Sequence, residues 1–175
     1  MQFYLESERL ILRALRTEDV NGMFELNSNP EVQKYVGNQP ITTLAQAKEN
    51  IEFIQKQYLE NGVGRLAVIE KESGEFLGWG GLKLIIEEMN GHQNFYELGY
   101  RFLPKHWGKG FATDVVKISI KYAFELLKLD VIYAITDIRN GASKHILEKV
   151  GFKFIEIFDY KGQPHNWLML QNPSL

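Results

Sequence analysis

Two glycines one residue apart, Gly108 and Gly110, enclose Lys109 in the stretch Leu103-Pro104-Lys105-His106-Trp107-Gly108-Lys109-Gly110-Phe111-Ala112-Thr113. That spacing suits the binding of phosphate. Glycines let the backbone bend and come close to a ligand, and a helix starting at the turn aims unpaired N–H groups and the positive end of its dipole at an anion. Lys109 adds a mobile cation. A second stretch, Asn140-Gly141-Ala142-Ser143-Lys144-His145-Ile146-Leu147-Glu148-Lys149-Val150-Gly151-Phe152, opens with a helix-capping residue, carries Ser143 in the first turn and ends in Gly-Phe. A dinucleotide fingerprint asks for a third glycine where Thr113 stands, and a P-loop needs Gly-Lys followed by Ser or Thr, whereas Gly110 follows Gly108-Lys109. Taken alone, the first stretch is equally consistent with a turn that merely joins a strand to a helix.

The surrounding elements must hold these stretches together. Residues Asn94 to Leu103 alternate, with Tyr96, Leu98, Tyr100 and Phe102 on one face and Phe95, Glu97, Gly99, Arg101 and Leu103 on the other, which predicts a strand leading into the glycine turn. From Phe111 to Lys128 the apolar positions follow helical spacing, and Val131-Ile132-Tyr133-Ala134-Ile135 is a continuous apolar run suited to a strand covered on both faces. Together they make a right-handed βαβ unit. Upstream, Arg9 to Leu15 reads as a first strand and Thr17 as the cap of a helix carrying Val20, Met23, Phe24 and Leu26, with a short helical turn from Pro30. Thr43 and Gln46 form a capping box for a helix with Leu44, Ala47, Ile51, Ile54 and Tyr58 on one face. Val63 to Lys71 and Glu75 to Glu87, joined by Glu72-Ser73-Gly74, form an antiparallel hairpin. After the βαβ unit come a helix from Asn140 to Val150, a strand from Phe152 to Tyr160 and a last strand from Asn166 to Leu170. The expected fold is α/β, a single domain over residues 1–175 with a mixed sheet, antiparallel in its early strands and parallel at its centre.

The 175 residues, 45% hydrophobic and 24% charged, suit one domain with a sizeable core. Twenty basic against 22 acidic residues give a net charge of −2, so no general field attracts nucleic acid or an anionic membrane surface, and any anion site is local. The absence of cysteine excludes disulfides, thiolate nucleophiles and cysteine zinc sites, and suits a reducing compartment. His92, His106, His145 and His165 lack metal-ligand spacing, so no metal is expected. With no signal-like start and no run of ~18 apolar residues, the expectation is a soluble, cytoplasmic protein.

The motifs, in their order and spacing, resemble the GNAT acyl-CoA-dependent N-acetyltransferases, and within them the branch of ribosomal-protein-alanine N-acetyltransferases. The likeness runs over nearly the whole chain: Glu8-Arg9-Leu10-Ile11-Leu12-Arg13, Asn29-Pro30-Glu31-Val32, Glu97-Leu98-Gly99-Tyr100 leading to Trp107-Gly108-Lys109-Gly110-Phe111-Ala112-Thr113, then Asn140, Ser143, Gly151 and Phe152. The resemblance implies a fold that splays between the strand ending at Leu103 and the strand Val131 to Asp137 to admit acetyl-CoA as cosubstrate. Its pyrophosphate would sit on backbone N–H groups of Trp107, Gly108, Lys109, Gly110, Phe111, Ala112 and Thr113, and its pantetheine arm would pair with the main chain of Tyr100, Arg101 and Phe102. Lys105 stands where the motif usually has Gln or Arg, keeping a charge but not a bidentate fork. Asn140 would reach the pantetheine and Ser143 would lie near the thioester sulfur.

Acetyl transfer needs a neutral amine, donors for the oxyanion and a proton for the thiolate. Glu97 is the first candidate for general base, with pairing to Arg101 as the structural alternative; Asp159 is the second candidate, on the branch's pattern, and Glu156 the weakest. A backbone N–H near Tyr100 or Arg101 would meet the oxyanion. Many members carry a Tyr as thiolate donor where Leu147 stands here, which leaves Ser143 as its substitute, or else only a first-turn residue of a helix capped by Asn140. Trp107 and Trp79 either cover the ligand mouth or anchor the core. Asn38-Gln39-Pro40 and Glu87 to Gln93 are expected to border the acceptor. The acceptor expected first is a protein N-terminal amine, then a small amine such as a polyamine or antibiotic, although an anionic mouth suited to a polyamine is suggested only by Glu87-Glu88. A non-catalytic acyl-CoA sensor is the alternative of another class, and the branch suggests a homodimer.

Overall fold

The alternating segments pair into one eight-stranded sheet. In chain order its strands are β1 (Tyr4–Glu6), β2 (Leu10–Arg13), β3 (Leu66–Glu70), β4 (Phe76–Ile85), β5 (Phe95–Phe102), β6 (Val131–Asp137), β7 (Lys153–Tyr160) and β8 (Gln163–Gln171). In space they lie in the order β1-β2-β3-β4-β5-β6-β8-β7. The structure is a computed structural model and describes residues 3–174. Every neighbouring pair is antiparallel except β5 and β6, the two strands of the βαβ unit. That parallel pair shares a single register contact, Glu97 opposite Tyr133, so the strands part beyond it. A splay at this point leaves main-chain groups of β5 with no sheet partner on that side, and they need a ligand or water.

Helices cover both faces because each strand buries alternate residues. On one face α1 (Val20–Ser28) and α3 (Leu44–Asn61) close a core of Met23, Leu26, Ala47, Ile51 and Ile54 over Ala67, with the short α2 (Pro30–Gln33) beside them. On the other, α4 (Phe111–Lys121) and α5 (Gly141–Lys149) bring Val116 and Leu147 against Leu82, Leu98, Ile132, Ala134 and Leu168. The Thr43 and Gln46 capping box is present, Thr43 Oγ1 accepting from Gln46 N at 3.2 Å, and Gly62 ends α3 in the left-handed conformation. No helix of the described residues is long and apolar enough to cross a membrane.

Four local expectations are revised. The first strand is preceded by β1, a three-residue edge strand too short to show periodicity. Thr17 opens a 3₁₀ turn rather than capping a helix; the carboxylate of Asp19 organises that turn, accepting from Arg16 N at 2.8 Å and from both terminal nitrogens of Arg13 at 2.8 Å. The helix after the glycine turn stops as α-helix at Lys121 and continues as a π turn over Tyr122–Leu126. The last strand starts at Gln163 and inserts between β6 and β7.

Candidate active site

The glycine turn takes its shape from backbone conformations that side chains resist. Gly108 (φ +71°) and Gly110 (φ +81°) are both left-handed, and Gly110 sits at the N-cap of α4. Because that cap has no side chain, the first N–H groups of α4 get no capping bond and stay available to an anion. Arg9 braces the turn from the far end of the chain. Its Nη1 donates to the carbonyl of Lys109 at 3.0 Å, its Nε and Nη2 grip Asp114 at 2.9 and 2.7 Å, and its guanidinium lies 4.8 Å from the centroid of the Phe111 ring. Trp107 is half exposed and fixes its ring through Nε1 to the carbonyl of Phe102 at 2.9 Å. Lys109 has no ion pair among the described residues and is exposed at the tip. Lys105 turns elsewhere: its Nζ lies 2.6 Å from Glu75, whose carboxylate holds the ammonium above the usual lysine range. Its expected phosphate contact is therefore not what the structure shows, because a nearer carboxylate claims it. Thr113 faces a separate groove with Lys117, Lys121 and Lys149.

The splay opens into a cavity of about 1140 Å³ lined from both faces of the sheet. Tyr100, Asn140, Ser143 and Leu147 lie on the α5 side; Asn27, Gln57, Arg65, Trp79, Glu97 and Arg101 lie on the side of α1 and α3. Asn140 caps α5 through Oδ1, which accepts from Ser143 N at 3.2 Å. Ser143 Oγ meets the Tyr100 hydroxyl at 2.9 Å. Burial pushes the Tyr100 phenol up to about 12, so its hydroxyl stays protonated. Leu147, one turn further along α5, is itself buried in the core.

Glu97 is brought into the cavity, and the pairing with Arg101 given as its structural alternative is not made. Its carboxylate is bound by Nη2 of Arg65, the two side chains being 12% and 9% exposed. Arg65 Nη1 also holds the carbonyls of Gly81 and, at 3.0 Å, Glu97. Gly99 makes room for this pair: a Cβ there would come within 2.7 Å of Arg65 Nη2. Arg101, two residues beyond, goes instead to Asn27 Oδ1 at 2.7 Å and to the face of Trp79, 4.8 Å from its centroid. Burial, then the neighbouring Arg65, lower its pKa to about 10. Asp159 is not brought to the site. It is exposed on β7, and its carboxylate accepts from Gly162 N at 3.0 Å to close the β7–β8 turn. Glu156 also lies away, accepting from Asn90 at 3.0 Å. Of the two loops expected to border the acceptor, Asn38, Gln39 and Met89 line the cavity, while Glu87 and Glu88 do not. Among the described residues there is no cluster of three or more metal-ligating side chains.

A strand that parts from its parallel neighbour, with a glycine-capped helix at its end, is the arrangement the sequence motifs imply. Residues 9–153 match the family described as Acetyltransferase (GNAT) domain. The chain belongs to the GNAT acetyltransferase family. It is 37% identical over 149 residues to p20 of Bacillus licheniformis, an N-acetyltransferase itself uncharacterized, which covers 85% of this chain and 82% of that protein. The GNAT fold is shared with the Vibrio cholerae spermidine N-acetyltransferase in complex with CoA and spermine (TM-score 0.75, 23% identity, 95% and 97% of the two chains). It is shared equally with the ribosomal-protein-S5-alanine acetyltransferase of Vibrio fischeri (TM-score 0.78, 17% identity, 98% of each). This GNAT chain is thus an acyltransferase with acetyl-CoA as its donor. The α4 N-terminus without a side-chain cap presents N–H donors suited to an anion, and β5 beyond Glu97 has an edge without a strand partner, suited to an amide-bearing chain.

Sequence reasoning missed Arg65 and Asn27 as parts of the site, and it gave Arg9, within the opening strand motif, no role there; Trp79, expected at either the ligand mouth or the core, lines the cavity. Arg9 and Asp114 are 105 residues apart, and Arg65 and Glu97 are 32 apart, so only the tertiary fold joins them.

Proposed function

We propose that this GNAT enzyme acetylates a primary amine by direct attack on the thioester, with Glu97 as general base and the Tyr100–Ser143 hydroxyl pair as donors to the departing sulfur. The observation that carries the reading is the single β5–β6 register contact at Glu97. It puts a carboxylate, two hydroxyls and an unpaired strand edge around one cavity, and the same strand runs on to the uncapped helix start at Gly110. The amine nitrogen forms its bond to the thioester carbon, its proton passes to Glu97 directly or through water, and the C–S bond breaks. Main-chain N–H groups of β5 near Tyr100 meet the oxyanion. A phenol held near 12 is a much weaker acid than a thiol near ~8.5, so Tyr100 and Ser143 stabilise the thiolate by hydrogen bonding, and solvent completes its protonation. Asn140, free to use its side-chain nitrogen while Oδ1 caps α5, meets the pantetheine.

A protein N-terminus, the acceptor expected first from the sequence, stays within this reading, as does a small amine. The test is calorimetric titration with acetyl-CoA, followed by thiol release with a panel of amines and peptides. Saturable binding with acceptor-dependent thiol release is the expected result. Binding without release on any acceptor would overturn it.

A further inference from the structure

The cavity's charges are unevenly matched. Its lining holds six basic residues, Lys34, Arg65, Lys83, Arg101, Arg139 and Lys161, and two acids, Glu97 and Asp137. Both acids are already committed: Glu97 to Arg65, and Asp137 to Arg139, whose Nη2 lies 2.6 Å from Oδ2. Lys34, Lys83, Arg101 and Lys161 have no carboxylate partner among the described residues. None of the residues of the glycine turn lines this cavity, so these cations do not serve the donor's phosphates.

Arg101 is the one that matters most. Its Nη1 is taken by Asn27, while Nε is enclosed without a hydrogen-bond partner and Nη2 has none among the described residues. The free Nε–Nη2 edge of a guanidinium is a fork of two parallel donors, matched to the two oxygens of a carboxylate. A buried cation without a counter-charge is costly to keep, and here Arg65, over the same Trp79 ring at 5.3 Å, adds repulsion. Gln57, from α3, adds an enclosed and unpartnered Oε1 to the same cavity, an acceptor suited to an amine N–H. A polycation finds no free carboxylate here and meets four unpaired cations.

We propose that the acceptor, on the transferase reading above, is a primary amine that itself carries a carboxylate, an amino-acid-like molecule whose carboxylate docks on the free edge of Arg101. Arg101 and Glu97 lie four residues apart on one face of β5, which leaves room for a spacer between the carboxylate and the reacting amine.

The test compares acceptors that differ only in the carboxylate. Thiol release is measured with α-, β- and ω-amino acids and their amides, with spermidine and with a C-terminally amidated peptide. The expected result is a kcat/KM at least about 100-fold higher for one or more acids than for the matched amide. In Arg101→Lys, which keeps the charge but loses the fork, that preference shrinks to less than about tenfold, while acetyl-CoA titration and melting temperature report that the variant is folded. Equal use of acid and amide by the wild type, a preference for spermidine or the amidated peptide, or an acid preference unchanged in a folded Arg101→Lys would overturn the inference and leave the transferase reading standing. Acetyl-CoA binding with no acceptor acetylated would overturn both.

Discussion

Replacing either member of the Glu97–Arg65 pair separates a catalytic carboxylate from a structural one. Both side chains are nearly enclosed, at 12% and 9% exposure, so removing one partner strands the other out of water. Breaking such a buried pair costs about 3–5 kcal/mol. Glutamine still offers an oxygen or a donor, which puts each single variant at the low end, about 3 kcal/mol, or a fall in melting temperature of about 6–12 °C for a chain of this size. Arg65→Gln is the harsher change structurally, because Arg65 also holds the carbonyls of Gly81 and Glu97. If the carboxylate served only the fold, Arg65→Gln would lose at least as much activity as Glu97→Gln. A general base adds a term that only Glu97→Gln loses, about 10²–10⁴ in rate. The assay is kcat from thiol release at saturating acetyl-CoA and acceptor, below both melting temperatures, with acetyl-CoA affinity from calorimetry. The expected result is a kcat for Glu97→Gln at least about 100-fold below that of Arg65→Gln, with unchanged acetyl-CoA affinity. Equal kcat values in the two variants would refute the base assignment.

Three other outcomes follow from the same geometry. Gly110→Ala forces a side chain into φ +81° and places a Cβ 3.2 Å from Arg9 Nη2, a strain of about 1–2 kcal/mol that weakens CoA binding about 5–30-fold; Gly108→Ala, strained but with nothing within 4 Å, loses less. Unchanged CoA titration in Gly110→Ala would remove the turn from cofactor binding. Tyr100 and Tyr58 are both raised to about 12 by burial, so the stability they contribute is intact below the ordinary tyrosine range near 10 and lost as pH climbs from there toward 12; ultraviolet titration should show late tyrosines, one fewer in Tyr100→Phe, and an unaltered curve in that variant would contradict it. His106 is lowered by burial, so the unfolded chain takes its proton first and stability declines as pH falls below about 6.5. Denaturant melts at pH 7 and 5.5 should show that decline, smaller in His106→Gln, and an equal decline in both proteins would assign it to other groups.

The elements proposed to hold the cofactor were legible because each of them is local. Gly108 and Gly110 declare a turn, Phe111 onward declares the helix behind it, and Asn140 with Ser143 declares the next cap, each within a few residues of chain. The strand carrying Glu97 was legible from its alternation, and so was its leading into the turn. What local pattern cannot give is the partner across the sheet. Pairing with Arg101, its neighbour on the same face, was the structural alternative to a base role for Glu97, yet the start of β3 delivers Arg65 from across β4 to the carboxylate. Lys105 went to Glu75 for the same reason, since the β3–β4 turn lies alongside. Asp159 is one residue out of phase with Phe158, which packs against Trp167, so it faces away while its hairpin turn uses the carboxylate.

The acceptor half resists sequence reading for a further reason, which is that net charge averages over the whole surface. A chain at −2 gives no hint of a cavity lined by six cations and two acids, because the excess acids lie elsewhere. Glu87 and Glu88, the acidic pair that suggested a polyamine mouth, are exposed and outside the cavity, so their field there is screened by water. Arg101, by contrast, is held inside by Trp79 and Asn27, where a charge is felt strongly and an opposite charge is worth most. The field a substrate meets is therefore set by the few enclosed groups, and among these Arg101 is the one without an opposite charge among the described residues, which favours an anion beside the reacting amine.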